Sequence, residues 1–322
     1  MFGSVAVALT CCAVFVVLYA FNAYRRSLRL PEWNQRYVLV TGCDSGFGRL
    51  LAKQLDKAGV HVFAGCLNKK SELGLKQKCS KRLKPISLDV TSGESIAEAV
   101  EYMANIIPKG QGLGGLVNNA GVFPISAPLE WLTKQDYDLT FAVNLHGVID
   151  VTTACLPLLR VGSGRVVSVS SDAALFAWPG GCAYNITKWG IEAFTDTFRR
   201  EFYNTDMSAH LVQPGAFQTS IVLPQMMAKK FRDRFASLPD HISQHYGNKF
   251  INAWKDNILN LPNIQDTDIS KVTDAMTHAL FAMYPLARYR VGTDCRFLWW
   301  PLSMAPLWFS DWLYSLPRTD LK

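Results

Sequence analysis

Apolar residues in this chain gather into short runs separated by amphipathic stretches, and the runs predict strands at Tyr37–Val40, Val60–Leu67, Ile86–Val90, Leu116–Gly121, Arg165–Ser171 and His210–Val212. Helical spacing predicts helices over Arg49–Lys57, Gly93–Ile106, Asp136–Leu159 and Ala183–Tyr203, with another over Ser270–Tyr284. Strands alternating with helices at this rhythm predict an α/β fold: one doubly wound parallel sheet with helices on both faces.

The pattern changes at both ends. Met1–Tyr24 carries no charged side chain, and Val5–Tyr24 is long enough to cross a bilayer as a helix. A signal peptide would want a basic start and a small-x-small cleavage site, and neither is clear. Arg25, Arg26 and Arg29 follow the apolar stretch, and basic residues beside a span stay cytoplasmic. We therefore expect an anchor with its basic flank over residues 1–30 and a catalytic domain over 31–290 that faces the cytosol. Met226, Met227, Phe231, Phe235, Leu238, Ile251 and Trp254 would line a lid within 221–265, although ordinary packing explains them equally well. The 291–322 tail holds Trp299, Trp300, Trp308 and Trp312, interrupted by Pro301, Pro306 and Asp311. Those breaks argue against a second span and for an element at a membrane interface, with core packing as the alternative.

Composition narrows the classes. A chain of 322 residues, 49% hydrophobic, holds one sizeable core plus an appendage. Its net charge of +7 is scattered with no basic block, which argues against a nucleic-acid partner. The eight cysteines show no metal-type spacing, so they read as free or buried thiols, and no metal site is expected.

Candidate chemistry begins where the first strand meets Gly42, Gly46 and Gly48. A strand, a glycine turn and a helix N-terminus make an anion site, because backbone N–H groups face the ligand and the helix dipole favours negative charge. The Gly-x3-Gly-x-Gly spacing differs from the commoner dinucleotide fingerprint, and three glycines alone are also ordinary turn chemistry. About 20 positions past the glycines, where an acidic residue would bind an adenosine ribose, stands Cys66 or a neighbour, and no Asp or Glu is available. Asn68-Lys69-Lys70 would suit a 2′-phosphate, whereas Asp44 in the glycine loop would repel one. On balance NAD is expected over NADP. Asp89 either meets an adenine edge or caps with Thr91 or Ser92.

Tyr184 and Lys188 share a helix face four residues apart, a pairing that alone is commonplace. Ser170 and Ser171 precede them at a strand's carboxyl end, where Asn118–Gly121 also lands. A phenol is a poor base near neutrality, and a nearby ammonium would pull its pKa down. A serine hydroxyl can polarise a carbonyl or alkoxide. Together these groups could exchange a hydride between carbon and a nicotinamide.

TGCDSGFG, LDVT, NNAG, the Asn144-bearing helix, SS, YNITK and PGAFQT occur in that order, and the chain from about 36 to 220 resembles the short-chain dehydrogenase/reductase family. The anchor, RYRVG and FLWWPLS resemble its membrane-bound retinol and 17β/3α-hydroxysteroid dehydrogenase branch. The resemblance implies a single Rossmann-like domain on an endoplasmic reticulum membrane. It implies Tyr184 as acid/base, Lys188 to lower its pKa and hold the nicotinamide ribose, Ser171 on the reacting oxygen, and Asn144 on a relay water. It also implies Gly42, Ser45, Gly46, Phe47 and Gly48 around pyrophosphate, Asp89 and Val90 at adenine, and Asn118 at the adenine ribose. Thr219 would meet the carboxamide, and Cys66, Ala120, Gly121, Pro214 and Gly215 complete the groove. Many NAD-binding members have Asp where this chain has Cys66, and Trp178-Pro179-Gly180-Gly181 is bulkier than expected. The expected reaction is oxidation of a lipophilic alcohol, with a homodimer as a further expectation. The rivals are a 3-hydroxybutyrate-type enzyme and a silent nucleotide-binding scaffold.

Overall fold

The computed structural model describes residues 2–315, with side chains described from 12 to 313. Met1 and residues 316–322, the end of the expected tail, lie outside the described residues. Seven strands form one parallel sheet: β1 Tyr37–Val40, β2 His61–Cys66, β3 Leu83–Ser87, β4 Leu113–Asn118, β5 Arg165–Val169, β6 Ser208–Pro214 and β7 Arg288–Val291. Their spatial order is β3-β2-β1-β4-β5-β6-β7. Register fixes the faces: Val40 pairs with Ala64 on one side and Val117 on the other, and Val117 pairs with Val167.

Alternation along the strands splits the core in two, as a pleated ribbon requires. Val38 and Val40 face the helices Gly46–Lys57 and Ser270–Phe281 through Leu51, Leu55, Met276 and Leu280. Leu39 points the opposite way and packs with Met103, Val151, Cys155 and Leu159 of the helices Gly93–Ile106 and Lys134–Val161. The helix Lys134–Val161 is also long and apolar enough to cross a membrane by length and composition. Its inner face is committed to the sheet.

The expected doubly wound sheet is therefore present, with corrections. The third strand begins three residues earlier than predicted and ends at Ser87, so Asp89 lies beyond it. The fourth runs Leu113–Asn118 rather than Leu116–Gly121, because Gly114 and Gly115 are strand residues. The Asp136–Leu159 helix is longer and contains a π turn at Ala142–His146. The helix Lys69–Lys78 and strand β7 had not been expected. The expected lid region folds as helices Pro224–Ala236 and Asn248–Asn260, packed through Phe231, Phe250 and Trp254 onto Ile125 and Trp131.

Phe2–Ser27 is helical, and Phe15, Val17, Leu18 and Tyr19 are each more than 60% exposed. The chain after it is tied to the domain: Leu30 N–H donates to Phe281 O (2.8 Å), and Met283 N–H to Leu28 O (2.8 Å). The guanidinium of Arg25 lies over the Tyr284 ring, 4.2 Å from its centroid.

Candidate active site

Strand order reverses between β1 and β4, and ligands in open α/β sheets bind where strands end at such a point. The glycine turn follows β1, and Asn119–Gly121 follows β4. The two are bolted together by residues whose role the sequence did not reveal. Thr41 Oγ1 accepts from the Asn119 and Ala120 N–H groups (3.0 Å each), and Asn119 Nδ2 donates to Thr41 O (2.9 Å) and Gly42 O (3.2 Å). Gly42 has φ +69°, and a Cβ there would stand 2.8 Å from Ala120 Cα. Only glycine allows that approach.

Ser45 caps the helix Gly46–Lys57 from an extended conformation without a side-chain cap bond, and its hydroxyl pairs with Ser220 (2.5 Å). The helix's first-turn amides thus have no capping side chain and can serve an anion. Beside them a cleft of about 580 Å³ is lined by Ser45, Gly46, Gln218, Thr219, Ser220 and Leu223. A hypothetical Cβ on Gly46 would lie 3.7 Å from Thr219 Cβ, so the loop after β6 borders the glycine turn. Unfilled donors, a glycine-lined approach and that volume fit a dinucleotide.

Several expected groove residues have other duties. Phe47 packs edge-on against Phe217 at 5.9 Å. Cys66 is buried at the end of β2, and burial pushes its thiol up to about 12. Val90 is buried and packs under the helix at Gly147. Asp89 Oδ1 accepts from the Thr91 N–H (2.9 Å) and hydroxyl (2.7 Å), the capping alternative. The buried Asn118 amide donates to Thr152 Oγ1 (2.8 Å) and turns inward, so its backbone is what remains at the strand end. Gly215, following Pro214 at the end of β6, lies against the carboxylate of Asp294, which accepts from Ala216 N–H (2.6 Å). Gly48 lies in the helix's first turn against Asn119. Asp44 bridges the glycine loop to the end of β2, accepting from Leu67 N–H (2.8 Å), Asn68 N–H (3.1 Å) and Asn68 Nδ2 (2.7 Å).

Asn144, Ser171, Tyr184 and Lys188 converge at the same sheet edge. Asn144 is fully buried in the π turn, a feature that recurs at functional sites. Its Oδ1 accepts from Val122 N–H (2.7 Å), and its Nδ2 donates to Val122 O (2.9 Å) and Thr187 Oγ1 (3.4 Å). A side chain at Gly121 would stand 3.4 Å from Asn144 Oδ1 and 3.9 Å from Lys188 Nζ. Lys188 donates to Val169 O (2.9 Å), and burial pulls its ammonium down to about 8 despite Glu192. Ser171 donates to Asp172 Oδ1 (2.7 Å) and accepts from Ala173 N–H (3.2 Å).

One electrostatic expectation is overturned. The Tyr184 phenol lies above its ordinary range: burial raises it most, a Ser171 hydrogen bond lowers it, and the Asp172 charge raises it again. The Lys188 ammonium sits over the ring, 5.3 Å from its centroid, and spends a donor on Val169. Burial outweighs the cation.

Phe123 and Trp178 flank Tyr184 with centroids 5.2 and 6.4 Å from its ring. The hollow beside the phenol is lined by Phe123, Pro124, Ile125, Leu132, Asp136, Thr140 and Gly181–Tyr184, with no basic side chain. Trp254 Nε1 donates to Ser126 O (3.3 Å), and the neighbouring Ala127 N–H donates to Gly180 O (3.2 Å), so the helix Asn248–Asn260 rests on a loop tied to the stretch ahead of Tyr184.

Comparison with known proteins agrees with this geometry. The family model described as short chain dehydrogenase matches residues 36–229. Human retinol dehydrogenase 16 is 41% identical over 314 residues, spanning 96% of this chain and 98% of that protein. Human 17-beta-hydroxysteroid dehydrogenase type 6 is 39% identical over 308 residues, spanning 94% and 95%. A short-chain dehydrogenase from Streptomyces avermitilis superimposes with a TM-score of 0.66 at 26% identity, covering 81% of this chain and 90% of that one. Sheet order, site geometry and these relationships agree: the chain belongs to the short-chain dehydrogenase family.

Proposed function

We propose that this protein is an NAD-dependent dehydrogenase that oxidises a lipophilic alcohol of the retinol or hydroxysteroid class. The observation that carries the reading is Tyr184, beside Ser171 and above Lys188, flanked by the rings of Phe123 and Trp178. A bound oxidised nicotinamide supplies the hydride acceptor and a positive charge. In oxidation the substrate carbon gives up its hydride, and Tyr184 takes the hydroxyl proton once its own has left. Lys188 holds a donor beneath the ring, Ser171 binds the reacting oxygen, and Asn144 fixes Val122 and, through Thr187, the helix that carries Tyr184 and Lys188.

Two details sharpen the proposal. Asp44 lies where β2 ends, and its carboxylate would meet a 2′-phosphate, which favours NAD. The side chains around the phenol, among them Phe123, Ile125, Leu132 and Trp178, offer apolar surface and no basic side chain, which favours a retinoid or steroid over a 3-hydroxybutyrate-type acid that needs a cation for its carboxylate. The apolar helix Phe2–Ser27, with Phe15, Val17, Leu18 and Tyr19 exposed, and the exposed Phe297, Trp308 and Trp312 support membrane association. Arg25, Arg26 and Arg29 favour a cytosol-facing domain, on the endoplasmic reticulum if the chain follows its branch. The test is kcat/KM for retinoids, hydroxysteroids and hydroxy acids with each nicotinamide cofactor. Lipophilic alcohols with NAD should lead by at least tenfold, and a lead for hydroxy acids would refute the substrate assignment.

A further inference from the structure

Ser171 has one proton to give, and the structure spends it on Asp172 Oδ1 at 2.7 Å. The Ser171 oxygen also accepts from Ala173 N–H at 3.2 Å and shares a hydrogen bond with the Tyr184 phenol, so Asp172 and the reacting centre compete for one proton. A serine that stabilises a developing oxyanion must donate to it. Here the proton it would donate is already held by a neighbouring carboxylate.

We propose that Asp172 is a positioning residue that gates Ser171: charged, it withdraws the hydroxyl proton, and protonated, it releases that proton to the reacting oxygen. The inference rests on the dehydrogenase reading above and adds to it a proton-controlled step.

The surroundings make protonation accessible. Burial, joined by the nearby Asp294 and opposed by the Ser171 and Ala173 hydrogen bonds, lifts the Asp172 carboxyl to about 6. The ionisable groups facing it are Asp294, Tyr184 and Cys295, and it pushes the latter two upward in turn. None of these supplies a cation to hold the charge. The sign follows. Above about pH 6 the carboxylate is charged and holds the Ser171 proton. Below it, the carboxylic acid no longer demands the serine proton.

The effect must act on both directions alike. At saturating cofactor the ratio of forward to reverse kcat/KM is fixed by the overall equilibrium and the cofactor affinities, so a gate on Ser171 scales both.

The experiment measures kcat/KM for alcohol oxidation and carbonyl reduction from pH 5 to 9 with full-length wild type, Asp172→Asn and Ser171→Ala. For Asp172→Asn we expect a gain of about tenfold at pH 8, equal in both directions, as recovery of an oxyanion donor predicts. The limb near pH 6 should vanish in Asp172→Asn and also in Ser171→Ala, which has no hydroxyl to gate. If Asp172→Asn is unstable, persistence of the limb in the residual turnover of Ser171→Ala decides against the gate. An active wild type whose profile is unchanged in Asp172→Asn overturns this inference alone. Loss of turnover in a folded, cofactor-binding Asp172→Asn also overturns it, because the charge would then be required. A wild type inactive toward every alcohol overturns the dehydrogenase reading and this inference with it.

Discussion

Removing the Asn144 amide should destabilise the fold before it reveals anything about proton transfer. The side chain is fully buried and satisfies both backbone groups of Val122, at 2.7 and 2.9 Å. Asn144→Ala leaves an N–H and a C=O without that partner. Each buried orphan costs about 1–3 kcal/mol, so the substitution should cost roughly 2–6 kcal/mol. Against a total stability of about 5–15 kcal/mol this is a large fraction. At roughly 2 °C per kcal/mol for a chain of this size, Tm should fall by about 4–12 °C. Asn144→Asp is the informative companion. It keeps an acceptor for Val122 N–H but turns an oxygen toward Val122 O, so it should be similarly harmful at neutral pH. The assay is thermal unfolding of detergent-solubilised protein followed by tryptophan fluorescence. If Tm stays within about 1 °C of wild type while turnover is lost, Asn144 does not hold the Val122 loop and the argument from its hydrogen bonds is wrong.

Three further outcomes are expected. Asp44→Ser should raise kcat/KM with NADP relative to NAD, because it removes the charge bonded to Leu67 and Asn68; a wild type that already prefers NADP would instead assign the site to Lys69 or Lys70. His210 is buried and held down to about 4, so between there and its unfolded value of about 6.5 the unfolded chain binds more protons. Stability should therefore fall as pH drops from 6.5 toward 4, and His210→Gln should flatten that slope in Tm against pH; an unchanged slope would place the acid sensitivity elsewhere. For topology, Asn185-Ile186-Thr187 is an N-glycosylation sequon within the helix Cys182–Glu201. The Asn185 side chain is buried and donates to Trp178 O at 2.8 Å, so a glycan there would disrupt the site. A cytosolic domain should be digested by protease added to intact microsomes, and resistance until detergent is added would show it to be lumenal.

The elements legible in the sequence were those whose pattern is local. The glycine turn, the helix Gly93–Ile106 and the Tyr184 helix could be read from spacing and caps. Strand β7 could not, because Arg288-Tyr289-Arg290-Val291 looks like a solvated run. Its arginines are tolerable because Glu192 and Asp196 meet Arg288 from a distant helix at 3.0 and 2.9 Å. Strand β3 was misplaced because Lys84-Pro85 reads as a break, yet Pro is accommodated on an edge strand. The start of β4 was hidden by Gly115, which is needed because a Cβ there would stand 2.5 Å from Leu280 Cδ2.

At the site, spacing told which face Lys188 shares with Tyr184 but not where its ammonium points. That direction is set by Val169 O, a partner 19 residues away, and it decides that burial prevails over charge at the phenol. Thr41 and Asn119 lay inside motifs already singled out, but their hydrogen bonds cross 78 residues of sequence. Asp172 stood next to Ser171 throughout. Its significance depends on a hydroxyl direction that no pattern encodes.

The central claim is that Tyr184 transfers the substrate proton through its hydroxyl on an otherwise intact scaffold. It is tested most directly by NADH formation from all-trans-retinol or a hydroxysteroid in purified wild type and Tyr184→Phe, with NAD affinity measured on both. The account predicts turnover in wild type, its loss in Tyr184→Phe by at least about 10²-fold as removal of a general base implies, and nearly equal NAD affinity. Wild-type-like turnover in Tyr184→Phe would contradict it.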